Sequence, residues 1–294
     1  MKENKKSRNW FNIEYRHIQN KKLVVTVSVL LRLSVVGTLV AQAFNGNFEN
    51  VYTCILALIL FTIPSLIERR LHIDLPDTLE IIILFFIYAA EILGEIQEYY
   101  VIIPFWDDIL HTLNGFLFAA VGFSLVNILN RDKRVMLRLS PFYMAVMAFC
   151  FSMTIGVLWE FFEFGMDWFF HTDMQRDTVI NAIYSASLDP TRTNKVVAVK
   201  EIHDVVINGE NLGLGGYLDI GLIDTMKDLL VNFVGAVVFS VTGFFYARSK
   251  GKKRTPAQSF VPSKKAADHD YLTQARDSRP TDQPDAGHSD PPVP

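Results

Sequence analysis

The sequence has few cysteines and lacks the common ligand-binding signatures. Its 294 residues include two cysteines, Cys54 and Cys150, and both fall inside apolar runs. A disulfide framework is therefore not expected, and no CxxC or CxxxC spacing indicates thiolate ligands. The GxGxxG and P-loop patterns are absent, as are basic stretches interleaved with aromatic residues, which argues against nucleotide and nucleic-acid binding. No repeat with a period of about 20 to 50 residues is present, which excludes a repeat array.

Apolar residues make up 50% of the sequence and are gathered in long runs. These runs have few charges and are of the length that a helix needs to cross about 30 Å of hydrocarbon. The six runs are Leu23–Phe44, Val51–Ile67, Leu79–Leu93, Ile109–Leu129, Pro141–Trp159 and Leu229–Ala247. The third is short for a span unless its polar flanks lie inside the protein. The pattern predicts an all-α integral membrane protein with a six-helix transmembrane bundle.

Lys and Arg are missing from alternate loops, and this determines the predicted orientation. The loops Asn45–Asn50 and Glu95–Asp108 contain neither residue, whereas the N-terminal segment, the other short loops and the start of the tail are basic. Cytoplasmic loops carry the excess of Lys and Arg, so both termini are predicted to be cytoplasmic and residues 171–223 extracytoplasmic. Signal-peptidase cleavage after Ala41-Gln42-Ala43 is an alternative, and it would leave the other five spans oriented in the same way.

The chain is predicted to have three parts. These are a basic cytoplasmic segment at 1–22, the membrane domain at 23–247, and a cytoplasmic tail at 248–294 that is too poor in apolar residues to fold alone and is predicted to be disordered. The extracytoplasmic insertion at 171–223 mixes strand and turn patterns. Lys195–Lys200 and Ile202–Ile207 alternate as strands do, Asn208-Gly209 is a hairpin-turn signal, and Leu212–Gly216 is a glycine-rich turn.

Acidic residues recur at helical spacing near the outer ends of four of the apolar runs. Ionisable residues in membrane spans are costly and usually face the bundle interior. In the predicted topology all four stripes reach the same level on the same side, although Lys and Arg, not the acids, determined that topology. The stripes are Glu91 and Glu95; Asp107, Asp108 and His111; Glu160, Glu163 and Asp167; and Asp224, Asp228 and Asn232. The sequence therefore predicts a polar site at the outer end of the bundle.

So many carboxylates cannot all be ionised in one half-buried pocket without help. Two like charges 4 Å apart repel by about 4 kcal/mol at an effective dielectric of 20. Protonation, bound cations or water must relieve this repulsion. Carboxylates and one imidazole are suitable ligands for Zn²⁺, Mn²⁺ or Fe, or for a carboxylate-bridged pair of ions. The predicted metal ligands are His111, Asp107, Asp108, Glu160, Glu163, Asp224 and Asp228, and the candidate general bases are Glu95 and Asp167.

Some of these residues have structural alternatives. Asp107 or Asp108 would cap the fourth helix and Asp224 the sixth, since Asp accepts unpaired N–H bonds at a helix N-terminus. His111 lies one turn deeper, where the alternative is a hydrogen-bonded interior histidine. Asp167 would be a solvated residue at a helix end, although the helix dipole disfavours an anion there.

Other polar and small residues in the spans are interpreted as structural. Asp77-Thr-Leu-Glu80 has the pattern of a capping box. Arg32, midway along the first run, is expected either to extend toward the interface or to pair with an acid in the bundle. Gly115, Ala119 and Gly122 have the spacing of a helix-packing face.

Three segments carry a resemblance to a known family. WDDILHTLNG (106–115), WEFFEF (159–164) and GYLDIGLIDTMKDLLVNFVGA (216–236) resemble the YjdF-type inner-membrane proteins of bacteria, and the similarity extends over about Leu23 to Ala247. The resemblance implies a multi-pass protein of the bacterial cytoplasmic membrane. It supplies no reaction, and the tail after Ala247 lies outside it.

Three functions are compatible with such a site. The first is an enzyme in which a metal-bound water hydrolyses a lipid-linked or amphipathic substrate at the membrane. The second is a cation- or proton-coupled transporter, although no acidic or histidine relay continues through the inner half of the spans. The third is a non-catalytic binding or assembly protein whose fold is organised around a cation. Membrane lipid is the expected partner in each case.

Overall fold

The computed structural model describes residues 21–71, 73–131, 139–249 and 259–264. The predicted basic N-terminus and most of the predicted tail lie outside these residues. The helices are α1 (Lys22–Phe44), α2 (Phe48–Leu60), α3 (Ile63–Leu71), α4 (Asp77–Tyr88), a π-helix (Ala89–Ile96), α5 (Tyr99–Ile102), α6 (Trp106–Arg131), α7 (Pro141–Phe170), a 3₁₀ turn (Ala186–Leu188) and α8 (Leu222–Arg248). The protein is predominantly helical, as predicted.

Five helical segments of the described chain are long and apolar enough to cross a membrane. They are Lys22–Phe44, Phe48–Arg70, Trp106–Asn130, Pro141–Phe170 and Leu222–Arg248. Many of their large apolar side chains are exposed, which is the surface that a membrane would cover. The third predicted run corresponds to α4, of 12 residues, which continues directly into the π-helix. A sixth span at this position stays a prediction.

Helices α6, α7 and α8 approach one another closely through glycines. A Cβ atom at Gly115 would collide with the backbone of Asn232, and one at Gly235 would collide with the carbonyl of Thr112. Gly122 is covered by Phe151 of α7 in the same way. The predicted packing face on α6 is therefore confirmed at Gly115 and Gly122. Small residues let helix backbones meet, and this sets the separation at which polar side chains of the three helices converge.

Helices α1 to α4 and the π-helix form the other half of the molecule. A buried ion-pair network joins Lys21, just before α1, to Glu68 of α3 and Glu80 of α4. The Nζ atom of Lys21 lies 2.5 Å from Glu68 and 2.9 Å from Glu80, and donates a hydrogen bond of 2.8 Å to the Leu75 carbonyl. The capping-box interpretation of Glu80 is wrong, because Pro76 holds the N-cap position and no side chain caps α4. Glu80 instead meets a lysine that is remote in sequence.

Arg32 was expected to extend toward the interface or to pair with an acid, but its hydrogen bonds go to a hydroxyl and a carbonyl group. Its guanidinium donates hydrogen bonds to the Ser28 hydroxyl and, at 2.7 Å, to the Phe61 carbonyl at the break between α2 and α3. The guanidinium also lies over the Phe61 ring, 5.8 Å from its centroid. Arg32 therefore supplies a hydrogen-bond partner at the point where the second helix changes direction.

The insertion between α7 and α8 contains short antiparallel ladders. Their strands are β2 (Val179–Ile180) with β7 (Tyr217–Leu218), β3 (Ile183–Ser185) with β4 (Val197–Val199), and β5 (Val206–Ile207) with β6 (Glu210–Asn211). The predicted hairpin at Asn208-Gly209 is confirmed, with both residues at positive φ as a type I′ turn requires. The strand predicted at Ile202–Ile207 is limited to its last two residues.

Part of the predicted tail packs against the bundle. Strand β8 (Ser263–Lys264) pairs with β1 (Ile73–Asp74), and the Phe260 ring meets Phe116 of α6 edge-on, with centroids 4.9 Å apart. Val261 is buried in the core formed by α6, α7 and α8. Residues 259–264 thus differ from the predicted disorder, because their apolar side chains reach the core.

Candidate metal centre

The centre is built from one histidine and buried carboxylates of three helices. His111 lies one turn inside α6, with its Nε2 atom 3.6 Å from Asp107 and 3.9 Å from Asp228, and its Nδ1 atom 3.9 Å from Glu160. These separations are longer than hydrogen bonds and leave room for an ion between the groups. The side chains of Glu160 and Asp228 are 5% and 2% exposed. The predicted convergence of α6, α7 and α8 is therefore present.

Two groups of three residues have the geometry of a metal site. The first is Asp107, His111 and Asp228, and the second is Glu160, Glu163 and Asp228. Within each group the potential ligand atoms all lie within 4.8 Å of one another. Asp228 belongs to both groups. Oxygen and imidazole ligands at such separations could hold a divalent ion.

The carboxylates at the base of the centre have few hydrogen-bond partners. Both oxygens of Asp228 and the Oε2 atom of Glu163 are buried without a partner among the described residues, whereas Glu160 lies near the side-chain donors of Thr225 and Gln175. A buried charge normally requires pairing, hydrogen bonds or a metal. The other Glu163 oxygen accepts a 2.7 Å hydrogen bond from the Trp159 indole, which orients the side chain.

Helical spacing explains why these residues meet. Asp107 and His111 are four residues apart on α6, and Glu160 and Glu163 are three apart on α7, so each pair shares one face of its helix. Asp228 lies two turns into α8. One turn further, Asn232 is 1% exposed and packs against Gly115 and Gly156. These glycine contacts hold the three faces together.

The upper edge of the centre is more polar and less buried. The Oδ1 atom of Asp108 lies 2.9 Å from the Nζ atom of Lys227, so Asp108 forms an ion pair with this lysine. The carboxylate of Asp224 accepts a 3.1 Å hydrogen bond from the backbone N–H of Arg176. Two of the seven predicted ligands, Asp108 and Asp224, thus have other partners, whereas the remaining five belong to the two metal-capable groups.

Asp224 does not cap α8. The carboxylate of Asp219, in the loop before α8, accepts a 2.7 Å hydrogen bond from the Ile223 N–H, and its other oxygen accepts from Thr178. Asp219 therefore serves the helix start.

The two candidate bases lie in different environments. Asp167 accepts hydrogen bonds from the Thr172 hydroxyl and from the N–H groups of Met174 and Gln175, so it fixes the loop that follows α7. Glu95 lies in the π-helix, within electrostatic reach of Asp107 and Arg176. The side chain of Glu95 is exposed. Desolvation by the surrounding protein nevertheless raises the pKa of its carboxyl group; the charge of Arg176 lowers that pKa, and the charge of Asp107 raises it further.

Glu91 and Glu95 lie in the π-helix at the edge of the centre. We predicted that both would join the cluster because residues four apart share a face of an α-helix. The two remain close enough for the charge of Glu95 to act on Glu91, and Glu95 is within electrostatic reach of Asp107. Among the described residues neither glutamate belongs to a metal-capable group.

Two residues of the centre were not identified from the sequence. Arg176 reaches it from the insertion, donates to the Tyr100 carbonyl and lies 5.1 Å from the centroid of the Tyr100 ring. Burial, and then the charges of Asp107 and Glu95, raise the pKa of Tyr100 well above its ordinary value, so the phenol stays protonated. Its ring rests on Gly94, where a Cβ atom would collide with it. No local sequence pattern signals contacts made by a long loop.

The space beneath the centre is filled by aromatic rings. Phe116 and Phe239 meet edge-on with centroids 5.1 Å apart, and Phe123 lies 6.0 Å from Phe239. Phe123 and Phe239 are completely buried. The polar residues of the centre therefore end at a packed apolar layer.

Comparisons with known proteins identify a family but no reaction. A family model described as "Predicted membrane protein (DUF2238)" matches residues 27–249. An uncharacterized protein of Thermotoga maritima is 27% identical over 104 residues, which are 35% of this chain and 52% of that protein. The chain thus spans about half the length of this curated relative. No solved structure matches the chain.

Proposed function

The chain belongs to the DUF2238 family of predicted membrane proteins, and from that premise we propose that it binds a divalent metal ion and hydrolyses an amphipathic or lipid-linked substrate. The observation that carries the proposal is Asp228, whose side chain is 2% exposed and whose two oxygens have no hydrogen-bond partner among the described residues. Such a carboxylate, beside Glu160 and His111, is suited to bind a cation.

Electrostatics supports a cation at this position. Asp107, Asp224, Glu160 and Glu163 are all close enough to Asp228 to act on its charge. Two like charges 4 Å apart repel by about 4 kcal/mol at an effective dielectric of 20, and a bound cation replaces that repulsion with attraction. The donor set of carboxylates and one imidazole suits Zn²⁺, Mn²⁺ or Fe.

The ion would supply a nucleophile. A bound divalent metal can lower the pKa of water from 15.7 to about 7. The ion would activate water for attack on a carbonyl carbon or phosphorus of the substrate, and Glu95 would accept the proton of the attacking water. The bond to the leaving oxygen would break, and Glu95 would return the proton to that oxygen. Glu95 suits this role better than Asp167, because Asp167 is committed to the loop.

The surroundings of the centre favour a substrate from the membrane. The helix that carries Glu160 and Glu163 also exposes Phe161, Phe164 and Trp168, by 66%, 55% and 66%. Aromatic side chains are enriched where a membrane meets water. The Lys and Arg pattern predicts that this end faces outward, with both termini cytoplasmic, in the bacterial cytoplasmic membrane that the YjdF-type resemblance implies. An amphipathic substrate would then reach the metal from the outer leaflet.

The experiment is metal analysis combined with an activity assay on the full chain purified in detergent without chelator. We expect bound Zn, Mn or Fe in the wild type, and a lower metal content in His111→Ala and Glu160→Gln. Asp173→Asn, an exposed acid of the insertion, is the matched control and keeps its metal. p-Nitrophenyl butyrate and bis-p-nitrophenyl phosphate serve as ester and phosphodiester probes. A metal content equal to that of the wild type in both ligand variants would overturn the site, and metal without turnover of either probe would overturn the hydrolysis.

A further inference from the structure

The two metal-capable groups meet at one residue. Asp107 and His111 come from α6, Glu160 and Glu163 come from α7, and Asp228 alone comes from α8 and belongs to both groups. We propose that the centre holds two divalent ions, with the Asp228 carboxylate bridging them. This inference rests on the metal binding of the proposed function and adds the number of ions and the role of each ligand.

Charge balance favours two ions. The five residues of the two groups comprise four carboxylates and one imidazole. One divalent ion would leave two negative charges in a buried space, whereas two ions neutralise all four carboxylates if His111 is a neutral ligand. Lys227 pairs with Asp108, and Arg176 acts on the charge of Asp107 at the edge of the centre, whereas no Lys or Arg of the described residues forms an ion pair with Glu160, Glu163 or Asp228. Buried charges require such compensation.

The positions of the ligand atoms divide the centre in two. The Nε2 atom of His111 faces Asp107 at 3.6 Å and Asp228 at 3.9 Å, which defines one half. Glu160 and Glu163, on consecutive turns of α7, form the other half with Asp228. The Oδ2 atom of Asp228 faces His111, and both oxygens of Asp228 are buried without a hydrogen-bond partner among the described residues. Paired ions in hydrolytic enzymes are typically about 3.5 to 4 Å apart, a separation that one carboxylate can bridge.

The two halves differ in chemistry. The half with His111 has an imidazole ligand, which suits Zn²⁺, Mn²⁺ or Fe. The half with Glu160 and Glu163 has oxygen ligands only, which suits Mn²⁺ or Mg²⁺. Mn²⁺ is acceptable to both, so it is the probe that can occupy the whole centre.

The test is titration of the chelator-treated full chain in detergent with Mn²⁺, followed by electron paramagnetic resonance. We expect two equivalents in the wild type with the signature of spin-coupled ions. His111→Ala and Glu163→Gln should each bind one equivalent and lose the coupling. Asp173→Asn should behave as the wild type. Asp228→Asn should lose the coupling altogether, and if it fails to fold, the other two variants carry the test.

The outcomes separate this inference from the one on which it rests. Two coupled equivalents support the bridge. A single equivalent in the wild type overturns the second ion but leaves the proposed metal-dependent function intact. Two uncoupled equivalents overturn the Asp228 bridge. Absence of Mn²⁺ binding, together with absence of metal in the purified protein, overturns both.

Discussion

The Nε2 atom of His111 lies 3.9 Å from the Oδ2 atom of Asp228, although the two residues enter the bundle on different helices with a long insertion between them in sequence. The contact exists because α6 and α8 touch backbone to backbone at Gly115 and Gly235. Close helix packing thus forces a histidine and an unpaired carboxylate into one buried space.

Asp228→Asn should separate stability from metal binding. The substitution keeps the shape of the side chain and removes one of several buried negative charges, so the metal-free variant should unfold at the same temperature as the metal-free wild type or a few degrees higher. Mn²⁺ should stabilise the wild type, by about 2.7 kcal/mol at 100 times Kd, and leave the variant unchanged. Thermal unfolding in detergent with and without EDTA measures both effects. Equal stabilisation of the variant by Mn²⁺ would contradict the assignment.

Gly235→Ala should destabilise the protein by about 1 to 3 kcal/mol, because the added methyl group collides with the Thr112 carbonyl and forces α6 and α8 apart. Gly37→Ala is the matched control, since nothing lies within 4 Å of its added Cβ atom. It should stay within about 1 kcal/mol of the wild type. Unfolding in mixed micelles of rising SDS content gives the comparison, and similar losses in both variants would refute the close contact.

Lys21→Gln should cost about 3 to 5 kcal/mol, because it removes the buried cation that contacts both Glu68 and Glu80. The neighbouring Lys22 is exposed, so Lys22→Gln should be nearly neutral and serves as the control. The same unfolding assay applies. Equal stability of the two variants would show that the ion-pair network contributes little.

The network also predicts a dependence on pH. Burial alone would lower the pKa of Lys21, but hydrogen bonds and charge attraction from Glu68 and Glu80 raise it above the ordinary value of 10.5. A raised lysine pKa means that the stabilisation is complete below pH 10.5 and is lost as the pH rises through the folded-state value. The melting temperature of the wild type should therefore fall more steeply above pH 10.5 than that of Lys21→Gln. Parallel curves would contradict this.

Arg176→Gln should tighten binding of Mn²⁺. The guanidinium acts on the charges of Glu95, Asp107 and Asp224, so its removal makes the centre more negative. We expect a Kd about threefold to tenfold lower at low salt, with the difference shrinking as salt is added. Arg192→Gln, an exposed arginine of the insertion, should leave the Kd unchanged. Calorimetric titration at two ionic strengths decides between the outcomes.

Helical periodicity and the distribution of Lys and Arg were sufficient to predict most of the centre. The faces of α6 and α7 follow from three- and four-residue spacing, which places Asp107 with His111 and Glu160 with Glu163, as in the two groups. The same rule did not predict the π-helix in which Glu91 and Glu95 lie. Periodicity assumes one helix geometry and does not detect such a switch.

Contacts between segments that are far apart in the sequence could not be predicted from local sequence patterns. Lys21, which forms an ion pair with Glu80, is separated from it in sequence by α1, α2 and α3. Local spacing suggested a helix cap instead. Asp219 and Arg176 act from a loop whose path depends on several turns and strands. Their contacts are set by tertiary packing, which no local pattern encodes.

Anomalous diffraction from crystals of the full chain grown with Mn²⁺ tests the central claim most directly. The account predicts anomalous peaks in contact with the Asp228 carboxylate, one next to His111 and one next to Glu160 and Glu163. It is contradicted if the Mn²⁺ peaks lie elsewhere, or if His111, Glu160 and Asp228 point to the lipid-facing surface.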